Sequence, residues 1–439
     1  MSVGDGAAER RAAPGFGEAL RVWAAIGCLS FGGPAGQIAL MHREIVDRRR
    51  WLGDEEFLNA LNFCMLLPGP EATQLATYAG WRHHGVAGGL MAGLLFVVPG
   101  ALVVLALAAV YLLYGRIGAV QAAFDGIKAA VLVIVIEALL RVARRALKRP
   151  LHWAVAAAAF LAIFVFMVPF PLVVAAAAAI GFLTAGGSAA PAVAGAAPPV
   201  SPAATARTAA LWVAVWLLPL AGLWLALGGD HVLVAIGHFF SVLAVVTFGG
   251  AYAVLAYMAQ AAVETHGWLS AGEMLDGLGL AETTPGPLIL VTEFVGFLAA
   301  ARAEGGASVL AGIAGAATSL WVTFAPCFLW VFAGAPYIAR IGQAPRLRAA
   351  LAAITAAVVG VILELSLWFA LHVLVPGIAD DRTGWIRGWV LPASGVDWSA
   401  AALAAVAAVL MFPLKQDIVR TLLACAAVAL AGYGLGLWL

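Results

Sequence analysis

The sequence predicts an all-α polytopic membrane protein built from two inverted-topology repeats whose helices are interrupted by glycine and proline. Three observations carry that expectation. Composition is the first: 64% of residues are hydrophobic, 11% are charged, and mean hydropathy is +1.00. About a quarter of the residues of a soluble domain are charged. Internal repetition is the second. Phe31-Gly32-Gly33 returns as Phe248-Gly249-Gly250, Trp51-Leu52 as Trp268-Leu269, and Pro68-Gly69-Pro70 as Pro285-Gly286-Pro287, each 217 positions later. Farther along, Pro99, Ile127 and Glu137 return as Pro326, Ile354 and Glu364 at an offset of 227, so a ten-residue insertion separates the two blocks. The third observation is an exchange of charge. The basic HREIVDRRRW of the first copy becomes QAAVETHGW in the second, and RVARRALKR becomes WFALHVLVP.

The elements follow in order. Residues 1–20 are polar, carry Glu9, Arg10 and Arg11, and lack the form of a cleavable signal peptide. The segments around Phe31-Gly32-Gly33 and Pro68-Gly69-Pro70 read as broken hairpins, each entering and leaving on one side, although helices kinked at Gly and Pro would leave a similar pattern. Crossings are expected at 86–113, 127–140, 151–168 and 172–183, the last of them short; about 20 apolar residues span a ~30 Å hydrocarbon layer. Residues 1–183 form the first repeat. The stretch 184–208, TAGGSAAPAVAGAAPPVSPAATART, lacks bulky side chains and reads as a linker. A connecting membrane helix occupies 209–230, and the second repeat runs over 231–439 with further apolar runs at 307–332 and 349–375.

Five crossings between the repeats, an odd number, invert the second relative to the first. On that layout one side collects Arg43, Arg48, Arg49, Arg50, Arg82, Arg141, Arg144, Arg145, Lys148 and Arg149, then Arg340, Arg346, Arg348, Lys415 and Arg420. The other side keeps Arg116, Arg302, Arg382 and Arg387. Basic loops stay in the cytoplasm, so the crowded side is the inner one and the charge exchange between copies follows from inversion.

Broken helices at membrane depth are tolerated only where the freed backbone faces protein or a watery cavity. Proline fits the first turn of a helix, where its missing N–H would be unpaired in any case. Pro34 after Gly32-Gly33 and Pro70 after Pro68-Gly69 therefore mark starts of half-helices. Pro287 repeats the second start, and Ala251 stands in for the proline after Gly249-Gly250. Such N-termini expose N–H groups and carry roughly +0.5 charge each, a natural anion site. Four of them sharing one central cavity would offset a dianion with no buried lysine. The substrate-site residues expected from this reading are Gly32, Gly33, Pro34, Asn62, Pro68, Gly69, Pro70, Glu71 and Gln74 in the first copy. Their partners in the second are Gly249, Gly250, Thr283, Thr284, Pro285, Gly286 and Pro287, and Thr73, Thr77, Tyr78 and Thr292 are further neutral donors. The pattern is that of a transporter with its site between repeats.

Acidic residues in apolar sequence are expensive to bury and point to function. Glu71 either caps its half-helix or couples protons to transport. Glu282 and Glu293 flank the second break with the same ambiguity, and the repeat-equivalent Glu137 and Glu364 form either structural pairs or a proton relay. Lys128 reads as snorkelling to the outer interface, and His83-His84 as interfacial. Cys28, Cys64, Cys327 and Cys425 stand alone without metal-ligand spacing. No catalytic group, metal or cofactor is expected, and no nucleic-acid partner. A membrane-embedded enzyme would need a surface acidic cluster, for which Asp54-Glu55-Glu56 is the nearest candidate.

Several of these segments, taken together and in order, resemble the chromate transporter family in its long two-domain form. They are FGGP at 31–34, LLPGPEATQLATYAGW at 66–81 and GLLFVVPGA at 93–101. In the second half they are FGGAYAVL at 248–255, GWLSAGEMLDGLGLAETTPGPL at 267–288 and ITAAVVGVILEL at 354–365. The resemblance implies a multi-pass protein of the cytoplasmic membrane that exports chromate, confers chromate resistance and takes sulfate as a mimic. Carriage of another anion such as sulfate, by a carrier or a channel, is the alternative within transport. Gly100 and Cys327 depart from the serine often found after the paired prolines, which removes a hydroxyl contact there. The apolar surface is also compatible with an oligomer.

Overall fold

The architecture, a computed structural model, describes residues 14–185, 201–246, 248, 251–303, 305–338, 345–381, 386–393 and 395–436. Residues 1–13, most of the expected linker (186–200), and Gly249 and Gly250 fall outside them. Apart from one short strand pair, regular structure among the described residues is helical, as composition requires.

The first repeat opens with two hairpins. Helix α1 (Phe16–Cys28) leads through a tight break into α2 (Gly33–Met41), which a π-helical turn (His42–Arg48) extends. Gly32 and Gly33 sit at φ 85° and 67°, conformations that glycine alone adopts without strain. Both ends of this hairpin return to one place: the Phe16 ring lies 5.4 Å from His84, and Trp51 lies 6.2 Å from His83. The second hairpin joins α3 (Asp54–Cys64) to the first limb of α4 (Glu71–Tyr114). Asp54, Glu55 and Glu56 occupy the first turn of α3, where the helix dipole favours acids. Arg82 Nε reaches Glu56 Oε1 at 2.7 Å, so the hairpin enters and leaves on the same face.

Helix α4 loses helical geometry at His84 and Gly85 (φ 59°) and reverses direction. Its limbs, 71–83 and 86–114, then pack so closely that a Cβ on Gly80 would lie 2.2 Å from the Gly88 carbonyl oxygen. Small residues are what allow helix backbones to approach in a membrane. The second limb is the first full crossing, about 43 Å long at 1.5 Å per residue.

Crossings α5 (Gly118–Ala146), α6 (Pro150–Phe164), α7 (Phe170–Thr184) and α8 (Pro202–Leu227) follow. The 15-residue α6 and α7 are each only about 22 Å long, yet they connect opposite faces. The Val165 carbonyl accepts from the Arg387 N–H at 2.9 Å on one face, and Arg346 lies over the Phe182 ring on the other. Helix α8 begins earlier than the expected boundary at 209, so residues 202–208 belong to the helix and not to the linker. Ser201 caps its N-terminus by accepting from Ala204 N at 3.4 Å, Pro202 opens the first turn, and the alanines between favour helix.

The second repeat has the same parts. Helices α9 (Val232–Val246) and α10 (Ala251–Gln260), the latter extended by a π-turn (Ala261–Thr265), correspond to α1 and α2. Helix α11 (Ala271–Thr283) and α12 (Val291–Arg302), preceded by a 3-10 turn (Leu288–Leu290), correspond to α3 and the first limb of α4. Ser270 and Glu273 form a reciprocal capping box at the start of α11. Arg302 Nη2 reaches Glu273 Oε1 at 2.8 Å and closes this hairpin at its own open end. Glu273 is the repeat equivalent of Glu56, so both hairpins are fastened in the same way. Helix α13 (Val309–Gly334) packs on α12 through Gly315, whose Cβ would lie 2.1 Å from the Gly296 oxygen. Helices α14 (Pro345–Leu374), α15 (Trp398–Met411) and α16 (Ile418–Gly434) complete the chain, with antiparallel strands β1 (Ala379–Asp381) and β2 (Gly388–Val390) between α14 and α15.

The limb 86–114 connects the two open ends. It starts beside the Glu56–Arg82 pair and ends where Tyr111 Oη donates to Asp276 Oδ2 at 2.7 Å, on the same helix as Glu273. The repeats therefore open on opposite faces, the first on the face bearing Arg82, Arg141 and Arg145 (the basic face). The hairpin reading of the broken segments holds over that of kinked spanning helices. Inversion sets an expected labelling pattern. With exposed Cys28 replaced by serine, a membrane-impermeant maleimide should reach Glu55→Cys from the basic face only and Ala303→Cys from the other face only. Labelling of both from one face would overturn the inverted arrangement.

Candidate functional site

A cavity of about 680 Å³ lies between the repeats toward the basic face. Pro34, Ile38 and His42 contribute its α2 wall, Phe57, Leu61 and Met65 its α3 wall, and Glu71 stands at the first residue of α4. Arg141 and Arg145 come from the last turns of α5, and Thr355 and Ile362 from α14 of the second repeat. Both half-helix starts of the first repeat thus reach this cavity. Neither Gly32 nor Pro70 supplies a side-chain cap, so first-turn N–H groups are left for another acceptor. Arg141 and Arg145, one helical turn apart, add positive charge. Arg141 Nε donates to Glu137 Oε1 at 3.2 Å, and His42 Nε2 pairs with Asp54 Oδ1 at 2.7 Å.

Behind the cavity the breaks of the two repeats hold each other. The Gly286 N–H donates to the Ser30 carbonyl at 2.9 Å. Gln37 Nε2 donates to the Gly286 carbonyl at 2.6 Å and approaches the Ser30 carbonyl at 3.4 Å. Gln74 Nε2 donates to the Pro68 carbonyl at 2.7 Å. Each Pro-Gly-Pro break also lies against the proline-containing crossing of the other repeat. A Cβ on Gly100 would sit 2.1 Å from the Pro285 oxygen, and a Cβ on Gly69 would sit 3.3 Å from Cys327 Sγ. Gly100 and Cys327 occupy the same repeat position. Glycine is required at the first because the opposing backbone fills the space of a side chain. Around these breaks Ser30 Oγ, Thr73 Oγ1 and Thr323 Oγ1 are buried without a hydrogen-bond partner in the protein, as are Gln37 Oε1 and Gln74 Oε1. Buried polar atoms are nearly always satisfied, so these groups mark hydrogen-bonding capacity open to water or substrate.

The repeats differ in conformation. In the second repeat the counterparts of Ile38, Phe57, Leu61, Glu71, Arg141 and Val142 are Leu255, Met274, Leu278, Leu288, Trp368 and Phe369, and every one is buried. Where the first repeat has a cavity toward the basic face, the corresponding position in the second is filled by these side chains.

A model of the chromate transporter family matches residues 17–182 and 234–433, one segment for each repeat. The chain belongs to the chromate transporter family. A chromate transport protein of Cupriavidus metallidurans is 30% identical over 358 residues, covering 77% of this chain and 78% of that protein. One from Pseudomonas aeruginosa is 33% identical over 339 residues, with 76% of each chain covered. A probable chromate transport protein of Synechococcus elongatus is 29% identical over 339 residues, with 77% and 80% covered. No solved structure matches the chain.

The expected site residues of this family member divide into three groups. Pro34 and Glu71 line the cavity, with Gly32, Gly33 and Pro70 adjoining them in the chain and Pro68, Gly69 and Gln74 buried behind. Thr284, Gly286 and Pro287 are buried and Thr283 and Pro285 partly so, in the break that the Ser30 and Gln37 contacts hold. Thr283 and Thr284 direct their hydroxyls to the Leu280 and Ala281 carbonyls. A single cavity shared by all four helix starts is not found among the described residues, because the second repeat's Pro-Gly-Pro break packs on protein. Asn62 is exposed, on the side of α3 away from buried Ala60, Phe63 and Cys64.

The acids divide as well. Glu137 pairs with Arg141, and Glu364 lies 3.7 Å from Arg387. Glu282 and Glu293 are buried beside the second break. Lys128 Nζ lies 3.0 Å from exposed Asp125 and 3.6 Å from buried Asp276, beside a pocket on the outer face that Arg116, Glu273 and Arg302 also line. Sequence reasoning missed Ser30, Gln37 and Arg387. Gln37 offered a signal, as a lone amide in an otherwise apolar half-helix. Arg387 offered none within its own loop.

The left-handed positions at Gly69 (φ 111°) and Gly286 (φ 93°) exclude larger residues at a backbone cost of roughly 1–3 kcal/mol each. Gly69→Leu and Gly286→Leu should abolish labelled-chromate transport in vesicles while the protein still inserts and elutes as a folded species. Normal transport by both folded variants would remove these breaks from the site.

Proposed function

We propose that this protein exports chromate across the cytoplasmic membrane and thereby confers chromate resistance. The observation that carries this reading is the cavity on the basic face, where two uncapped half-helix starts and Arg141 and Arg145 meet. A tetrahedral dianion entering there gains from partial positive charge at each helix start and from N–H donors. Positive-inside topology makes the basic face cytoplasmic, so the cavity loads from the cell interior. Moving a dianion out of an inside-negative cell gains about 4.6 kcal/mol per 100 mV, from ~2.3 per elementary charge. The potential alone can therefore drive export. Transport follows when the first repeat closes into the packed form of the second and the second opens, the exchange that inverted repeats permit.

Sulfate has the same charge and shape and should compete. Glu71 stands at the mouth of one helix start, where its carboxylate and the dianion repel unless a proton is bound. We assign it the role of coupling group, with Glu137, Glu282, Glu293 and Glu364 as lesser candidates. Of these, Glu137 and Glu364 have arginine neighbours, Arg141 and Arg387. A reading as an enzyme has less support, since Asp54 pairs with His42 and Glu56 with Arg82. A channel would not need the counterpart of the cavity to be filled.

The test is labelled chromate uptake into everted vesicles under an imposed potential. Saturable uptake that excess sulfate suppresses is expected, and its absence in vesicles containing folded protein would overturn the reading. An imposed pH gradient should change uptake by the wild type but not by Glu71→Gln. An equal response in both would remove Glu71 from coupling.

A further inference from the structure

Arg387 lies in the loop after α14, on the face opposite the cavity, yet its side chain is 0% exposed. Its Nη1 is 3.7 Å from Glu364 Oε1 and its Nη2 is 3.6 Å from Glu264 Oε2. Those carboxylates are themselves only 3% and 9% exposed. The guanidinium stands over the Trp389 ring at 5.5 Å, and Trp368 Nε1 donates to the second oxygen of Glu264 at 2.9 Å. Burying one cation with two carboxylates is costly and a poor way to gain stability. The arrangement therefore calls for a reason beyond packing.

Repeat symmetry supplies one. Glu364 corresponds to Glu137, and Trp368 to Arg141, the residue that gives the open cavity its positive wall. The cluster thus stands where the second repeat would form its own cavity on the opposite face. There the cationic group comes from the loop instead of from the helix. We infer that Arg387, with the Trp368 indole N–H, forms an exit-side site for a tetrahedral dianion, and that Glu264 and Glu364 occupy it as tethered carboxylates while this face is shut. Two carboxylates carry the same charge as one dianion, so the exchange leaves the buried charge balanced. Guanidinium and indole N–H are both donors suited to oxyanion oxygens. When the second repeat opens, Glu264 moves off with its π-turn and the Glu364 side chain, which shares α14 with Trp368, turns away, and the departing anion takes their place before release. The outward movement of the anion and the closing of the face then compete for the same donors, which couples release to closure.

This inference rests on the export reading above, and the test separates the two. Right-side-out vesicles loaded with labelled chromate would be followed for efflux against increasing external sulfate. Everted vesicles would give the half-saturating chromate at the basic face. The readout is the ratio of the external half-inhibitory sulfate to the basic-face constant. In Arg387→Gln that ratio should rise at least roughly thirtyfold, the scale of losing one buried charged partner. In Glu264→Gln and Glu364→Gln it should fall, since a competing carboxylate has been neutralised. A ratio within about twofold of wild type in folded Arg387→Gln would overturn the inference, because an exit-side contact of this kind must move it further. Should Arg387→Gln not fold, an unchanged ratio in both carboxamide variants overturns it equally. Wild-type vesicles that carry no chromate would overturn the export reading and this inference with it, whereas normal wild-type flux with an unmoved variant ratio rejects the exit site alone.

Discussion

Every backbone N–H and C=O inside a membrane must be paired, and that constraint shapes the centre of this protein. A chain that breaks its helices at mid-depth frees such groups at every break. Here the freed groups are met by the other repeat: the Gly286 N–H by the Ser30 carbonyl, and the Gly286 carbonyl by Gln37. The breaks are therefore also the points where the halves are joined. Glycine and proline at these positions serve the backbone first. The capacity left over at the α2 and α4 starts is what the proposed export would use.

Close approach is the second consequence. Breaks can meet only if the intervening helices carry no bulk, which explains Gly100 against the Pro285 oxygen and the Gly80–Gly88 and Gly296–Gly315 contacts. The same contacts fold each half-helix back against the crossing helix that follows it. Salt bridges at repeat-equivalent Glu56 and Glu273 then fasten both hairpins at their open ends. Two copies built alike are nonetheless packed differently, with one cavity open and its counterpart filled by Trp368, Phe369 and Met274. That difference is what the proposed export needs, one face opening as the other shuts.

Much of this was legible in the sequence, and the reasons are specific. Pro-Gly-Pro can sit at a helix start and almost nowhere else in a helix, so the positions of the breaks followed from residue type. The end of the reversal at residues 84–85 and the start of the crossing at 86 followed from the apolar run. The start of α8 did not, because Ala-rich sequence suits both linker and helix and the Ser201 cap decided between them. The surroundings of Asn62 and Lys128 were illegible for a related reason. Which way a polar side chain points depends on the neighbours of its helix, and these are set by packing between segments far apart in the chain.

The sequence by itself determined the all-helical membrane class, the duplication, the inversion and the sites of the breaks. Composition, spacing and loop charge are local quantities that act on each segment before it finds its partners. Tertiary structure decided which breaks touch, which face is open and which acids have arginine partners. Gln37 reaching Gly286 and Arg387 reaching Glu264 and Glu364 are contacts between distant segments. Nothing in the residues alone fixes such contacts, because they depend on how two similar halves settle into different packings around one shared interface.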